Sequence, residues 1–166
     1  MKKIISILAV MAMTASMLTG CGASSEAGQT QESSAKAVTA DVNALGDDLR
    51  NKITYQDDLA QMDAETVAMF INLDGVSVAK ACAYESSGAT AEEIVVLECA
   101  SSDDAKKAAS AFKVRVAEQK ESFENYVPEE LTKLGNAVIA TSGCYAVLSV
   151  SDDADTAKSV ISEYLK

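Results

Sequence analysis

From residue 38 onward, apolar and polar positions repeat first with a helical period and then with the alternation typical of strands. Steps of three and four residues predict a first helix that begins near Thr39, which we expect to be its N-cap. Within this helix, Gly46 is expected to cost about 1 kcal/mol relative to alanine. A second, shorter helix begins near Asp63 and ends between Asn72 and Gly75. The two apolar stripes consist of Val42, Leu45, Leu49 and Ile53, and of Val67, Phe70 and Ile71.

The rest of the chain predicts two successive strand–strand–helix units. Turn residues at 86–90 and at 142–143 connect the two strands of each unit. Pro128 stops the first long helix, and 127–135 is expected to be a loop. The predicted strands are 76–85, 93–100, 137–141 and 144–150, and the predicted long helices are 103–126 and 152–165.

Both long helices begin with the same residues, Ser102-Asp103-Asp104-Ala105 and Ser151-Asp152-Asp153-Ala154. Each serine caps free N–H groups, and the aspartates complement the positive end of the helix dipole. We therefore predict an α+β fold with two N-terminal helices, then a ββα-ββα pseudo-repeat. Its four-stranded, mainly antiparallel sheet carries both long helices on one face. The N-terminal helices are expected to cover part of the other face, and any part left bare would be a binding surface.

The first 20 residues have the organisation of a secretory signal. Two lysines precede an apolar run at 4–18, which is shorter than the roughly 20 residues that span a bilayer. The run ends in Leu18-Thr19-Gly20-Cys21, which resembles the lipobox of bacterial lipoproteins. The resemblance implies transfer of a diacylglyceryl group to the Cys21 thiol and cleavage between Gly20 and Cys21. An uncleaved membrane span and a plain signal peptide with an incidental cysteine are the alternatives.

This interpretation divides the chain into three parts. The signal peptide is 1–20, the lipidated cysteine and a flexible tether of small polar residues occupy 21–37, and 38–166 forms a single domain. A diacylglyceryl cysteine provides the two acyl chains that stable anchoring requires. We expect the protein on the extracytoplasmic face of the cell membrane.

The composition excludes several classes of function. The net charge is −11, or about −13 after removal of the two lysines in 1–20, and an acidic chain is a poor ligand for nucleic acid. The chain has no histidine, which argues against zinc hydrolases and Ser-His-Asp enzymes. The acidic cluster at 152–155 lacks the spacing of a calcium loop, and helix capping explains it better. We expect no catalytic activity, no metal and no cofactor.

Three cysteines remain once Cys21 is acylated. Cys82, Cys99 and Cys144 fit no zinc or disulfide framework, and each lies in or next to an apolar strand. Buried free thiols are the first interpretation, because free cysteine behaves as a small apolar residue. A Cys82–Cys99 disulfide across the hairpin is the alternative.

Two segments are candidate binding sites. The turn between the first two strands combines hydroxyls, a glycine and carboxylates; it is either an ordinary hairpin loop or a loop that contacts a ligand or partner. The surface of the first long helix is either a solvated face or a docking face. The candidate residues of the loop are Ser86, Ser87, Gly88, Thr90 and Glu93, and those of the helix are Arg115, Gln119 and Tyr126.

Four stretches of the sequence resemble a known family. They are Tyr84-x-Ser86-x-Gly88-Ala89-Thr90-Ala91-Glu92-Glu93-Ile94, Arg115-x-x-x-Gln119-x-x-x-Phe123-x-x-Tyr126, Leu134-x-Asn136-Ala137-Val138-Ile139, and Gly143-x-Tyr145 followed by Ser151-Asp152-Asp153-Ala154. Together they resemble the family called domain of unknown function 4358, over roughly 38–166. The resemblance implies a lipoprotein of Gram-positive bacteria and supplies no mechanism.

The sequence thus favours a membrane-anchored, non-catalytic binding or accessory module for a protein partner in the cell envelope. A small-solute-binding lipoprotein associated with a transporter is the alternative, although one domain of this size lacks the two-lobed cleft usual for that role.

Overall fold

The structure, a computed structural model, describes residues 38–166. The predicted signal at 1–20, its cleavage after Gly20, the lipidation site Cys21 and the tether to residue 37 lie outside the described residues. Among the helices of the described range, none combines the length and the apolar character that crossing a membrane requires.

The described residues form five helices around one five-stranded sheet. In chain order the elements are α1 (Val42–Lys52), β1 (Ala60–Met62), α2 (Ala64–Phe70), β2 (Val78–Glu85), β3 (Glu93–Cys99), α3 (Ser102–Glu124), α4 (Glu130–Gly135), β4 (Val138–Ser142), β5 (Tyr145–Val150) and α5 (Ala154–Tyr164).

The sheet has the order β1-β2-β3-β5-β4, and every neighbouring pair is antiparallel. The predicted α+β class, the antiparallel pairing and both N-terminal helices are therefore confirmed, whereas the prediction of four strands is wrong. The additional strand, β1, pairs with the end of β2, where Gln61 lies opposite Tyr84. Its three residues are too few to establish an alternating pattern in the sequence.

Helices cover both faces of the sheet. We call α1 and α5 the first layer and α2, α3 and α4 the second layer, after the two apolar clusters that they bury. The prediction that both long helices lie on one face is wrong, because α5 packs beside α1 in the first layer and α3 packs in the second. The central strands β3 and β5 are buried on both sides, so their sequences do not indicate which face receives which helix.

The face that we expected to be partly bare is covered. Val96, Tyr145 and Val147 are buried beneath α1 and α5. The expectation that the two N-terminal helices share this face is half right, because α1 lies on it and α2 packs in the second layer.

The four predicted helices begin within two residues of the positions that the sequence indicates. The capping side chains are Asp41 for α1, Asp63 for α2, Ser101 for α3 and Asp153 for α5. The predicted caps Thr39, Ser102 and Ser151 are therefore wrong. Several side-chain oxygens precede each helix and can accept the same N–H groups, so the sequence locates a helix start only approximately.

The segment 127–135, predicted to be a loop, contains the short helix α4. This helix follows Pro128 and buries Leu134 in the second layer. A six-residue helix presents too few turns to show a helical period in the sequence.

The two cysteines of the β2–β3 hairpin do not form a disulfide. Cys82 faces the first layer and Cys99 faces the second, so their side chains point away from each other. Both thiols are buried and free, and Cys144 is free and partly exposed. The interpretation of buried thiols holds for the first two.

Gly46 allows α1 to approach the sheet closely. A Cβ atom added at this position would lie 2.5 Å from Sγ and 3.4 Å from Cβ of Cys82, and 3.5 Å from Cε2 of Tyr84. The glycine that weakens the isolated helix is therefore required for the packing of α1 on β2.

We predict that Gly46→Ala destabilises the protein by about 1–3 kcal/mol, because overpacking outweighs the gain in helix propensity. The measurement is the free energy of unfolding in urea. Gly135→Ala is the matched control, since an added Cβ there meets no atom within 4 Å and its effect should be small. A Gly46→Ala protein more stable than wild type would contradict the packing.

Candidate functional site

The loop between β2 and β3 is fixed at several points. The hydroxyl of Ser86 donates to the carbonyl of Thr90 at 2.6 Å, which closes the turn. Gly88 has a φ of 93°, a conformation that favours glycine. Outside the loop, the Asp57 carboxylate accepts a hydrogen bond of 2.8 Å from the backbone N–H of Ser87 and another from its hydroxyl. The loop is therefore held in one conformation.

Below the loop, α3 contacts β2 and β3 through Arg115. Its Nη2 lies 2.7 Å from a carboxylate oxygen of Glu85, and its Nε lies 3.2 Å from Oε2 of Glu93. Gln119, one turn further along α3, donates to the same Glu93 oxygen at 3.2 Å. One guanidinium thus joins the last residue of β2 to the first residue of β3, in a nearly buried position where such pairs are strongest.

The two candidate sites from the sequence meet in one pocket of about 230 Å³. Ser87 is absent from its lining because it turns toward Asp57, and Glu93 lies behind Arg115 rather than in the pocket wall. The lining residues are Glu85, Ser86, Gly88 and Thr90 from the loop side and Arg115, Gln119, Ser122, Phe123 and Tyr126 from the α3 side. Residues that the sequence places about 30 positions apart therefore form a single surface.

The pocket combines hydroxyls, one shielded cation and two aromatic rings. Burial, acting against the nearby Arg115, raises the pKa of Glu93 to about 7. The Oε1 atom of Gln119 is buried without a hydrogen-bond partner among the described residues. Because Glu85 and Glu93 balance the charge of Arg115, this arrangement suits neutral polar groups and stacking on Tyr126 better than a strong anion.

An ionic cluster that the sequence analysis missed lies at the other end of the loop. The fully buried Glu92 carboxylate accepts hydrogen bonds of 3.0 Å from the backbone N–H groups of Gln56 and Asp57. Nζ of Lys133 lies 3.1 Å from Glu92 and 3.0 Å from Glu130. Glu130 in turn accepts from the backbone N–H of Ala91 at 2.8 Å, inside the loop.

Glu92 and Lys133 favour their charged forms despite their burial. Burial acts to raise the pKa of Glu92, but the N–H donors of Gln56 and Asp57 and the Lys133 ammonium outweigh it and hold the pKa below its usual value. Burial acts to lower the pKa of Lys133, but its hydrogen bonds to Glu130 and Glu92 outweigh burial and hold the pKa above its usual value. The cluster positions the loop against α4. The only sequence signal was the i, i+3 pair Glu130 and Lys133, in a segment predicted to be a loop.

The second layer also carries the large apolar side chains that are exposed among the described residues. We call this region the α2–α3 surface; its members are Met69, Phe70, Val78, Val114 and Tyr126. The first three line a groove of about 500 Å³, and Val114 lines an adjoining one of about 290 Å³. No local pattern in the sequence indicates this surface, because its residues come from α2, β2, α3 and the turn after α3.

Arg115 connects the α2–α3 surface to the pocket. Its guanidinium lies 5.5 Å from the centre of the Phe70 ring, a cation–π distance, and it lines both the pocket and the Val114 groove. The loop, the pocket and the apolar groove are therefore parts of one continuous side of the domain. Across residues 38–166, no group of three or more acidic or cysteine side chains has the geometry to hold a metal ion.

We predict that Lys133→Met lowers the free energy of unfolding by about 3–5 kcal/mol. The substitution leaves the buried carboxylates of Glu92 and Glu130 without their cation. The control is Lys106→Met, since Lys106 is 70% exposed in its ion pair and its loss should change stability by about 0.5 kcal/mol or less. Equal urea midpoints for the two variants would show that the cluster does not stabilise the fold.

We further predict a pH signature for Glu93. Its pKa is raised in the folded state, so between about pH 4.5 and 7 the folded protein binds more protons than the unfolded chain. Its contribution to stability is therefore complete at lower pH and is lost as the pH rises through this window. Glu93→Gln should remove that decline, as measured by urea unfolding at a series of pH values. The exposed Glu121→Gln controls for loss of one carboxylate; if both variants show the same pH dependence, the assignment is wrong.

Comparison with known proteins adds one match. The sequence model of the family described as "Domain of unknown function (DUF4358)" matches residues 51–151. No curated protein and no solved structure matches the chain. The matched range contains the loop, the pocket, the ionic cluster and the α2–α3 surface, and it covers more than half of the chain. The chain therefore belongs to the DUF4358 family.

Proposed function

We propose that this protein is a lipid-anchored module on the extracytoplasmic face of the cell membrane, which binds a protein partner in the envelope without catalysing a reaction. The α2–α3 surface is its docking site. The observation that carries the proposal is that the large exposed apolar side chains of the described residues all line adjoining depressions on one side of the domain.

The anchor rests on the sequence of the first 21 residues. Their basic start, short apolar run and Leu18-Thr19-Gly20-Cys21 motif favour a lipidated Cys21. The acidic composition of the chain agrees with a domain held near an anionic membrane by acyl chains rather than lying flat on it.

A protein partner is supported by the character of the α2–α3 surface. Met69 is 80% exposed and Tyr126 is 69% exposed, and a contiguous apolar region of this kind is typical of interaction sites. Asp74 and Glu118 lie in the lining of the same groove and give it a polar margin. An apolar centre with a polar rim is the usual anatomy of a protein–protein interface.

A small-solute-binding lipoprotein associated with a transporter remains the second candidate. The polar pocket between the loop and α3, with the unpartnered Oε1 of Gln119 in its wall, is the observation that favours it. Its volume of about 230 Å³ is below the roughly 300–1,000 Å³ of typical small-molecule sites, so we place this function second.

The test is crosslinking in living cells, followed by purification of the full-length protein and identification of what is attached. The reference is a copy that keeps residues 1–37 and lacks the rest. Met69→Asp introduces a charge on the α2–α3 surface at a highly exposed position, and Ser159→Asp introduces the same charge on α5 in the first layer. A Cys21→Ala copy separates anchoring from docking, because it should leave the membrane fraction.

We expect one envelope protein to be enriched over the reference, with recovery reduced about tenfold by Met69→Asp and unchanged by Ser159→Asp. Equal recovery with both aspartate variants would exclude the α2–α3 surface as the docking site. Full membrane retention of the Cys21→Ala copy would contradict the anchor. Absence of any enriched protein, together with a rise in melting temperature on addition of a solute, would favour the second candidate.

A further inference from the structure

Among residues 38–166, one edge of the sheet, strand β4, is open. Within this range β4 pairs only with β5, across the two-residue turn 143–144, where Ser142 lies opposite Tyr145. In such a hairpin the pair that flanks the turn is hydrogen-bonded, and pairing alternates along the strand. The N–H and C=O groups of Ile139 and Thr141 therefore point away from the sheet.

The two edges of the sheet differ in how they are protected against strand pairing. β1, at the opposite edge, has three residues, and Asp58 and Asp63 flank it. β4 is longer, and the segment 137–142 contains no charged residue and no proline. Natural proteins usually protect an open edge by shortening it or by adding charge or proline, and β4 has none of these features.

A groove of about 490 Å³ runs along this open edge beside α5. Val138 and Ala140 face it from β4, and Ile161 of α5 and Leu165, the residue that ends this helix, line its other side. An open strand next to a helix with an apolar side is the geometry in which an extended peptide adds to a sheet. In that geometry the backbone of β4 hydrogen-bonds to the backbone of the peptide, and alternate side chains of the peptide enter the groove.

Exposed lysines lie on the helices that pack against β4 in both layers, although the chain as a whole carries −11. Among the described residues that line the groove, Lys158 is the one lysine or acidic residue, and its ion-pair partner Asp155 is 96% exposed. On the other layer, Lys113 and Lys120 are exposed and seven residues apart on α3. The residues of α3 that line the Val114 groove lie on one side of its buried stripe. Lys113 and Lys120 lie on the other side, which is the side toward β4.

We propose that the β4 edge binds an extended, acidic peptide segment of a partner protein as a sixth strand of the sheet. Apolar residues of the segment face α5, and its carboxylates face the lysines of α3. The positive charges of Lys113 and Lys120 favour an acidic peptide over a second copy of the chain. Pairing two β4 edges would bring these lysines of both copies together, and they would repel each other. The site is separate from the α2–α3 surface and does not depend on it.

The probes are two synthetic peptides, one of alternating valine and glutamate and one of alternating valine and lysine. Their affinities for the full-length protein are measured by fluorescence anisotropy. A third peptide has the valine–glutamate sequence with N-methyl groups on the amides of one edge, which removes its backbone donors without any change to the protein. We expect the valine–glutamate peptide to bind and the other two to bind at least tenfold more weakly.

Thr141→Pro removes the outward N–H at a position where an edge strand tolerates proline, and it should weaken binding of the glutamate peptide at least tenfold. Thr141→Val keeps the backbone donor and should bind as wild type. Lys113→Glu should weaken binding of the glutamate peptide and improve that of the lysine peptide. Lys107→Glu, on the far side of α3, is the matched control and should do neither.

Three results would overturn the proposal. One is equal binding of the glutamate peptide and its N-methylated form, which needs no protein variant and is therefore independent of folding. Another is absence of binding by the glutamate peptide at concentrations up to about 1 mM. The third is a dimer in light scattering that Thr141→Pro converts to monomer, which would assign the edge to a second copy. Loss of partner capture by Met69→Asp has no bearing on any of the three.

Discussion

The interaction on which the candidate site depends is the buried contact between Lys133 and the carboxylates of Glu92 and Glu130. Three charges removed from water are tolerated only if each is paired and hydrogen-bonded. Here the backbone N–H groups of Gln56 and Asp57 supply the remaining hydrogen bonds to the Glu92 carboxylate. The cluster therefore links four segments that are distant in sequence: the connection after α1, the loop before β3, α4, and, through Asp152 at 3.8 Å, the start of α5. The loop can have a fixed shape because both of its ends are held.

The second constraint is that β3 and β5 are apolar on both sides. A sheet of this kind requires a helical layer on each face, and α1 with α5 and α3 with α2 supply them. With both faces covered by helices, the described sheet is accessible only at its edges. The α2–α3 surface lies on the flank of the second layer, and the β4 groove lies at one edge of the sheet. The fold thus places the two proposed binding surfaces on different parts of the domain.

Periodicity was sufficient to predict α1, α2, the four longer strands and both long helices, because each extends over two or more repeats of its pattern. It was insufficient for β1 and α4, which are too short, and for the face that α5 occupies, since strands apolar on both sides carry no directional information. The sequence named the loop and the α3 residues as two sites; their union in one pocket follows from the β2–β3 hairpin and α3 packing together. Glu92 and Lys133 are 41 residues apart, and no local pattern could have paired them.

The N-terminal end of the described chain is fixed to the centre of the sheet. The backbone N–H of Ala40 donates at 3.1 Å to the hydroxyl of Tyr145, a buried contact on β5. Tension applied to the chain before this point would therefore pass through the Tyr145 ring and α1 into the two central strands, which are the most completely buried part of the fold. The second layer lies across the sheet from that route. A pull on the N-terminal end would therefore act first on the first layer, on the side of the sheet opposite to the α2–α3 surface.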